Sequence, residues 1–326
     1  MKHPLRPLFV LFLPLLLLAS CGTDVEFNEG GSSSTVRNNA NANDTRLHPV
    51  SGRLEFPRLD THRSYQAGAD YLIVHEASFG VNYCVQWDTE KRAQRWSCYS
   101  MHAGNSSSKT DRKPNEKDGK DFSEYPNDPD LPSEFHFTRD PYTGSGYDHG
   151  HIIPSADRAY SYNEKANRQT FYMTNMQPQL NSFNAGLWLD MENHIHGSSK
   201  IAAWNNSNFR DTLYIVKGGT IDDEANIIRY LGSGENKIPV PKYFFMAILC
   251  KSKTAGNGGY KAIGFWIAQN EANNEKDATL RKYVRNIDEL EELTGLDFFC
   301  NLPDDIEKAV ESLPRENVIK AWNLDK

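Results

Sequence analysis

Six stretches of the chain combine β-branched and aromatic residues over strand-like lengths: Tyr71–His75, Asn82–Trp87, Trp96–His102, Leu213–Lys217, Tyr243–Cys250 and Tyr260–Ala268. Such composition on a short run favours extended backbone. Val81–Trp87 and Gln94–His102 flank the polar Asp88-Thr89-Glu90-Lys91-Arg92, which predicts a hairpin whose turn centres near Lys91. Helical periodicity is strongest from Asn184 to His196, with Ser182 as its expected N-cap and Gly197 as its stop. Further helices are predicted over Asp277–Val284, from Asn286-Ile287-Asp288 onward, and over Asp304–Glu311. Strands interleaved with helices point to an α+β domain. Between Asn105 and Pro141 lies a long polar stretch with five prolines. A connection of that length inside a compact domain usually has a functional role.

The first residues follow a different pattern. Lys2 and Arg6 precede an apolar run from Leu8 to Leu18. As a helix it would reach only about 16 Å, roughly half a bilayer's hydrocarbon core, so it predicts an export signal and not a membrane span. The run ends in Leu18-Ala19-Ser20-Cys21-Gly22, which resembles a bacterial lipobox; cleavage before Cys21 and lipidation of its sulfur are expected. From Gly22 to about Pro57 the chain is dominated by Gly, Ser, Asn and Thr, a composition that buries too little apolar area to offset ordering entropy. The expected organisation is a signal peptide over residues 1–20, a tether over 21–58 with lipidated Cys21, and one domain over 59–326. The protein is then expected to be anchored to the bacterial envelope, with the membrane as a partner through its lipid.

Charge sets a problem. With 36 Lys and Arg against 43 Asp and Glu the net charge is −7, and loss of residues 1–20 leaves 34 against 43, or −9. An acidic balance argues against long-range attraction of polyanions. The cysteines, by contrast, agree with export: four remain besides Cys21, an even number suited to an oxidising compartment. The hairpin centred near Lys91 sets Cys84 opposite Cys98, a separation a cross-strand disulfide can bridge. Cys250 and Cys300 are then expected to pair by elimination. No CxxC or Cys-His spacing suggests zinc.

Titratable side chains concentrate in Ser145-Gly146-Tyr147-Asp148-His149-Gly150-His151-Ile152-Ile153-Pro154. Gly150 is expected to permit a tight turn between the histidines, and Pro154 to end the strand that carries them. His151 would then sit at a strand end with its ring near solvent, neutral at pH 7 and able to take a proton from water. Downstream come Thr174-Asn175-Met176-Gln177-Pro178-Gln179 and Asn184-Ala185-Gly186-Leu187-Trp188-Leu189-Asp190-Met191-Glu192. On one helix Asn184 and Glu192 lie about 12 Å apart along the axis. An amide oxygen on the first turn with a carboxylate two turns on suits a hydrated hard cation whose waters the carboxylate holds.

These three segments, in this order, resemble the DNA/RNA non-specific endonucleases of the ββα-metal type. Asp148-His149-Gly150-His151 stands for that family's Asp-Arg-Gly-His, Asn175-Met176-Gln177-Pro178-Gln179 for its Asn-x-x-Pro-Gln, and Phe183-Asn184-Ala185-Gly186-Leu187-Trp188 with Glu192 for its third signature. The likeness runs from the Cys98 region to Thr294–Phe299, nearly the whole domain. It implies a ββα-metal fold with a mixed or antiparallel central sheet flanked by helices, and metal-dependent hydrolysis of DNA and RNA with little sequence preference. By the same resemblance His151 is the general base, and Asn184 the protein ligand of Mg²⁺, with Mn²⁺ a possible substitute. Glu192 would hold the ion's waters, Asn175 would shape the site, and Arg112 would contact phosphate.

One position departs from the pattern: His149 replaces an arginine, which stays charged and can fork to two phosphate oxygens. The alternative reading is a weakened or inactive nuclease-fold lipoprotein that binds nucleic acid or another envelope ligand. Taken singly, Trp188 reads as core packing, His194 and His196 as helix residues pointing apart, and Asp157 with Arg158 as an ion pair fixing a loop.

Overall fold

The computed structural model describes residues 39–46, 48–59, 70–106, 112, 124–159, 163–198, 201–270 and 280–325. The described residues fall within one compact unit, Arg37–Lys326. The export signal, Cys21 and the first part of the tether lie outside them.

The strands are β1 (Asp70–Ala77), β2 (Gly80–Asp88), β3 (Ala93–His102), β4 (Asp148–His151), β5 (Met176–Gln179), β6 (Thr212–Gly219), β7 (Ile227–Leu231), β8 (Ile238–Pro241), β9 (Tyr243–Lys251), β10 (Tyr260–Ala268) and β11 (Val284–Arg285). Helices are α1 (Glu164–Gln169), α2 (Leu189–His196), α3 (Ile287–Thr294), α4 (Asp304–Glu311) and α5 (Arg315–Ala321). Seven strands form one antiparallel sheet in the order β1-β2-β3-β6-β9-β10-β11, while β4 pairs with β5 and β7 with β8. This is the expected α+β class. All six predicted strands are present.

The central sheet is buried on both faces, which explains why β9 reads as an unbroken apolar run. Phe244, Met246, Ile248 and Cys250 enter one core layer, and Phe245, Ala247 and Leu249 the other. The first layer carries Trp188, Met176 and Ile153 of the site region. The second is covered by Ile287 and Leu290 of α3, Val310 of α4, and Phe298, Phe299 and Phe56.

This layering corrects one cysteine pairing. Cys250 lies in the first layer, whereas the Cys300 thiol is turned to the carbonyl of Phe56, a residue of the second. Cys84 and Cys98 do stand opposite each other across the β2–β3 ladder, as the hairpin centre predicts, and both lie in the second layer. All four thiols are free.

The tether boundary at residue 58 also needs correction. Residues 39–46 and 48–59 pack as part of the unit because asparagine amides find buried partners. Asn41 donates to Asp297 and Glu307, while Asn43 donates to the carbonyls of Ser51 and Pro57 and accepts from the Leu59 amide. Fully buried Phe56 meets Trp96 edge-on. Polar composition here reflects a hydrogen-bonded strap.

Helix α3 begins where expected, with Asn286 and Glu289 forming a reciprocal capping box, and α4 matches its predicted bounds. The helix expected over 277–284 is not formed in its described part: Arg281–Tyr283 is a 3-10 turn and Val284–Arg285 the edge strand. The rest of that segment lies outside the described residues.

A buried histidine staples the described part of the proline-rich stretch. His75 on β1 is fully buried, with Nε2 3.1 Å from Asp128 Oδ2 and Nδ1 3.1 Å from Asp130 Oδ2. Burial opposes protonation, but the charge and hydrogen bond of Asp128, aided by Asp130, outweigh it and push the imidazole up to about 9. Thr174 donates to Asp128, and the Met173 amide donates to Pro126 carbonyl at 2.9 Å. These bonds fix the segment that carries Tyr125.

Candidate active site

Strands β4 and β5 and the helical run that follows form a ββα unit on the first core layer. Asp148 pairs with Gln179 and His151 with Met176. Neither strand has apolar alternation; their geometry comes from tertiary bonds. Residue alternation puts His149 and His151 on one face and Gly150 on the other. Gly150 is not in a tight turn, as the sequence suggested. It lies within β4, where a Cβ would stand 2.4 Å from the Gln179 side chain. Close packing, not backbone curvature, requires glycine there.

The helical run starts earlier than predicted. A single turn over Asn181–Phe183 leads into a π-helical turn, Asn184–Trp188, and then α2; Leu180, not Ser182, occupies the N-cap and makes no side-chain cap. Gly197 ends α2 with φ +83°, as expected. The wide turn shifts the helical register. Asn184, Ala185, Leu189, Glu192 and His196 consequently line the cleft, while Trp188 turns into the core and donates Nε1 to the His151 carbonyl at 3.0 Å.

The cleft encloses about 570 Å³ and brings together Arg112, His149, His151, Asn184 and Glu192. Five of the six site residues expected from sequence therefore share one cavity. The sixth, Asn175, is fully buried and does not line it. Its amide donates to the carbonyls of Ile153 and Thr170 at 2.9 and 2.7 Å and accepts from the Ile153 amide at 2.9 Å. It is a positioning residue that ties down the chain immediately after His151.

His151 ends β4 and is half-buried at the cleft wall, as a strand-end position suggests, but its Nε2 is itself buried and has no hydrogen-bond partner among the described residues. Burial, with the Arg112 guanidinium and the His149 ring adding in the same direction, pushes this imidazole down to about 3. It is neutral at pH 7 and has a free nitrogen lone pair. Phe171 packs edge-on at 5.1 Å and holds the ring's orientation.

Asn184 is oriented by a group that sequence reasoning passed over. Asp148 Oδ2 accepts from Asn184 Nδ2 at 3.0 Å and from Asn181 Nδ2 at 2.9 Å. The amide oxygen of Asn184 is thereby left as its free donor atom toward a cation. Glu192 is buried, with Lys217 Nζ 3.5 Å from Oε1 but no hydrogen bond to that oxygen. Burial raises its carboxyl to about 7, against the opposing charge of Lys217. An oriented amide oxygen and a buried carboxylate oxygen lacking a hydrogen bond are a donor set that fits a hydrated hard cation.

His149 is held more tightly than a residue awaiting phosphate alone. Its ring lies between Tyr125 and Tyr142, with centroids 4.0 and 4.1 Å away, and Nε2 is 3.2 Å from Asp140 Oδ2. Arg112 stacks on Phe171 at 4.7 Å and remains half exposed at the rim, with Glu124 3.8 Å away. Asp157 engages Tyr99 and His196, and Arg158 donates to the carbonyls of Asn82 and Ser100; both brace the floor beneath the cleft.

Two further groups have metal-like composition but do not contribute to the cleft. In His75, Asp128 and Asp130 the carboxylates approach opposite ring nitrogens, the geometry of a clamped imidazolium and not of ligands converging on one ion. Asp288, Glu291 and Glu311 cluster on α3 and α4; burial, reinforced by the neighbouring carboxylates, raises Glu311 to about 10.

A neutral imidazole, an oriented amide oxygen and a buried carboxylate thus share one cleft on a ββα unit. The chain belongs to the DNA/RNA non-specific endonuclease family, whose model matches residues 65–305. The family is metal-dependent and acts on nucleic acids. Mitochondrial nuclease EXOG of Xenopus laevis is 28% identical over 71% of this chain, a match spanning about 60% of that relative's length. A protein named simply nuclease, from Nostoc sp. strain PCC 7120, is 30% identical over 74% of this chain and 78% of its own. EndoG, solved in complex with EndoGI, shares the fold with a TM-score of 0.53 at 20% identity, over 72% of this chain and 88% of that one.

Proposed function

We propose that this protein is a metal-dependent endonuclease that hydrolyses phosphodiester bonds of DNA and RNA without sequence preference. The observation that carries the reading is neutral His151, its Nε2 without a hydrogen-bond partner among the described residues, lining the cleft that also holds Asn184 and Glu192. His151 Nε2 takes the proton from the attacking water as the new P–O bond forms and the bond to the leaving 3′-oxygen breaks. Asn184 Oδ1 would ligate Mg²⁺ or Mn²⁺, and Glu192 would hold its waters. Such an ion supplies positive charge to offset that of the phosphate and the leaving alkoxide. Arg112 at the rim supplies a cationic contact to phosphate. Recognition of backbone rather than base edges accounts for tolerance of both polymers.

Incubating the purified protein with plasmid and with RNA, in Mg²⁺ or in EDTA, tests this. Degradation of both polymers in Mg²⁺ alone is expected; tight binding without cleavage would support the inactive-binder reading and overturn this one. His149→Arg discriminates further. Arginine can stack between Tyr125 and Tyr142, fork to Asp140 and still present N–H groups to phosphate. The variant should retain or increase its initial cleavage rate, and a large loss would show that the imidazole itself is needed.

The lipobox-like Leu18–Gly22 supports the reading that the protein is exported and anchored through lipidated Cys21. An intact mass of envelope-derived protein lacking residues 1–20 and increased by a lipid checks it; retention of those residues would refute it. No helix among the described residues is long and apolar enough to cross a membrane.

A further inference from the structure

Beside the catalytic cleft lies a second, of about 440 Å³, lined by Arg139, Asp140, Ser145, Arg229 and Tyr230 among others. The two cavities share a wall. Asp140 lines the second and pairs with His149, which lines the first; Arg229 lines the second and stands 5.5 Å over the ring of Tyr147, which lines the first.

The second cleft is cationic on this acidic protein. Arg139 and Arg229 are both exposed, and among the described residues neither pairs with a carboxylate. The only lining carboxylate, Asp140, is committed to His149. Beside Tyr230, Lys237 lies 4.0 Å above the ring, while the hydroxyl accepts from Lys91 at 3.0 Å and donates at 2.7 Å to Glu224, the carboxylate that neutralises Lys91. Both arginines are built in place. Ladder pairing along β7 is irregular between Ile227 and Arg229, with Ile228 and Arg229 both turned to solvent. Asn236 accepts from the Thr138 and Arg139 amides, fixing that segment to the β7–β8 turn, and the Arg139 guanidinium donates to Ser233.

We propose that this second cleft is a phosphate-binding subsite, which takes the backbone of the nucleic-acid strand beyond the phosphodiester positioned at His151. The inference rests on the nuclease reading above for its ligand. Two unpaired guanidinium groups next to the reacting phosphodiester suit a polyanion that extends along the surface. They also confine positive charge to one strip, so that a protein of net charge −7 can still hold its substrate locally.

Binding is measured by fluorescence anisotropy on the full chain carrying His151→Ala, with a labelled thymidylate dodecamer in Mg²⁺ across a salt series. Adding Arg139→Ala and Arg229→Ala should weaken affinity roughly tenfold or more and flatten the slope of log K against log salt by about 1–2. Arg139→Lys with Arg229→Lys should recover most of it. A control with Lys253→Ala and Lys320→Ala, exposed cations that line neither cleft, should shift both quantities by much less. If the arginine pair fails to fold, Arg229→Ala alone serves. Unchanged affinity and slope, or a control that weakens binding equally, would overturn the subsite. Because turnover is not measured, failure of the unmodified protein to cleave DNA and RNA would sink the nuclease reading separately.

Discussion

Replacing His151 with alanine is expected to lower cleavage of plasmid and RNA by roughly 100- to 10,000-fold, the usual contribution of a positioned general base. Its Nε2 has no hydrogen-bond partner among the described residues, and the environment that pushes the imidazole down to about 3 keeps it unprotonated at neutral pH. The other titratable groups lining the cleft are less suited to this role. His149 has its Nε2 on Asp140, His196 its Nδ1 on Asp157, Asp148 accepts from Asn181 and Asn184, and Glu192 lies beside Lys217. The loss should therefore fall on kcat, with KM changed much less, since the ring is a poor phosphate contact while neutral. His151→Gln, which restores volume without a base, should be as inactive as the alanine variant. Initial rates with both substrates, alongside circular dichroism to confirm folding, decide the matter. Activity within tenfold of the unmodified protein would remove His151 from the base role and leave the site without an evident proton acceptor.

The legibility of this site in the sequence was uneven for physical reasons. His151, Asn184 and Glu192 could be read because they belong to spaced segments whose residue types suit one chemistry. Their supports could not. Asp148 orienting Asn184, Lys217 facing Glu192, Asp140 holding His149 and Tyr125 stacked on it come from separate elements and carry no local pattern. The π-helical turn was equally silent, because a 3.6-residue period places Trp188 on the same stripe as Asn184, whereas the wide turn hands that place to Leu189.

At the level of the fold, β9 and β10 announce themselves by long apolar runs that are buried on both faces. By contrast β4 and β5, Asp-His-Gly-His and Met-Gln-Pro-Gln, hold strand geometry through Asn175, Gln177 and their own pairing. The asparagine-rich strap misled for a related reason. Composition reports how little apolar area a segment can bury, but not whether its amides will meet buried carboxylates and carbonyls.

The largest stability effect should come from Asp128→Asn. This substitution keeps the shape that accepts from the Asp130 amide at 3.0 Å, but removes the charge facing His75. Removing one partner of a buried ion pair typically costs about 3–5 kcal/mol, because the other charge is left uncompensated. Here the imidazolium can release its proton, which limits the loss to on the order of 3 kcal/mol, the free-energy equivalent of raising the imidazole from 6.5 to about 9. The sign follows from the raised folded-state value. In the unmodified protein this stabilisation is fully present below about pH 6.5 and is lost as pH rises through about 9. Urea denaturation at pH 6 and pH 9.5 should accordingly show a marked alkaline loss in the unmodified protein and a much smaller one in Asp128→Asn. The groups facing His75 are Asp128 and Asp130 at the ring nitrogens and the phenols of Tyr83 and Tyr172 at 4.4 and 5.5 Å, and burial raises both phenols, to about 12 for Tyr172. Neither phenol titrates within the window, whereas Glu192, Glu307, Glu291 and Glu311, raised by burial to about 7, 7, 8 and 10, do and are common to both proteins, so the imidazole is read from the difference between the two slopes. Equal alkaline loss in both proteins would show that His75 is neutral when folded. Because the same staple fixes the segment carrying Tyr125 against His149, the variant should also lose cleavage activity at neutral pH while keeping His151 and Asn184 intact.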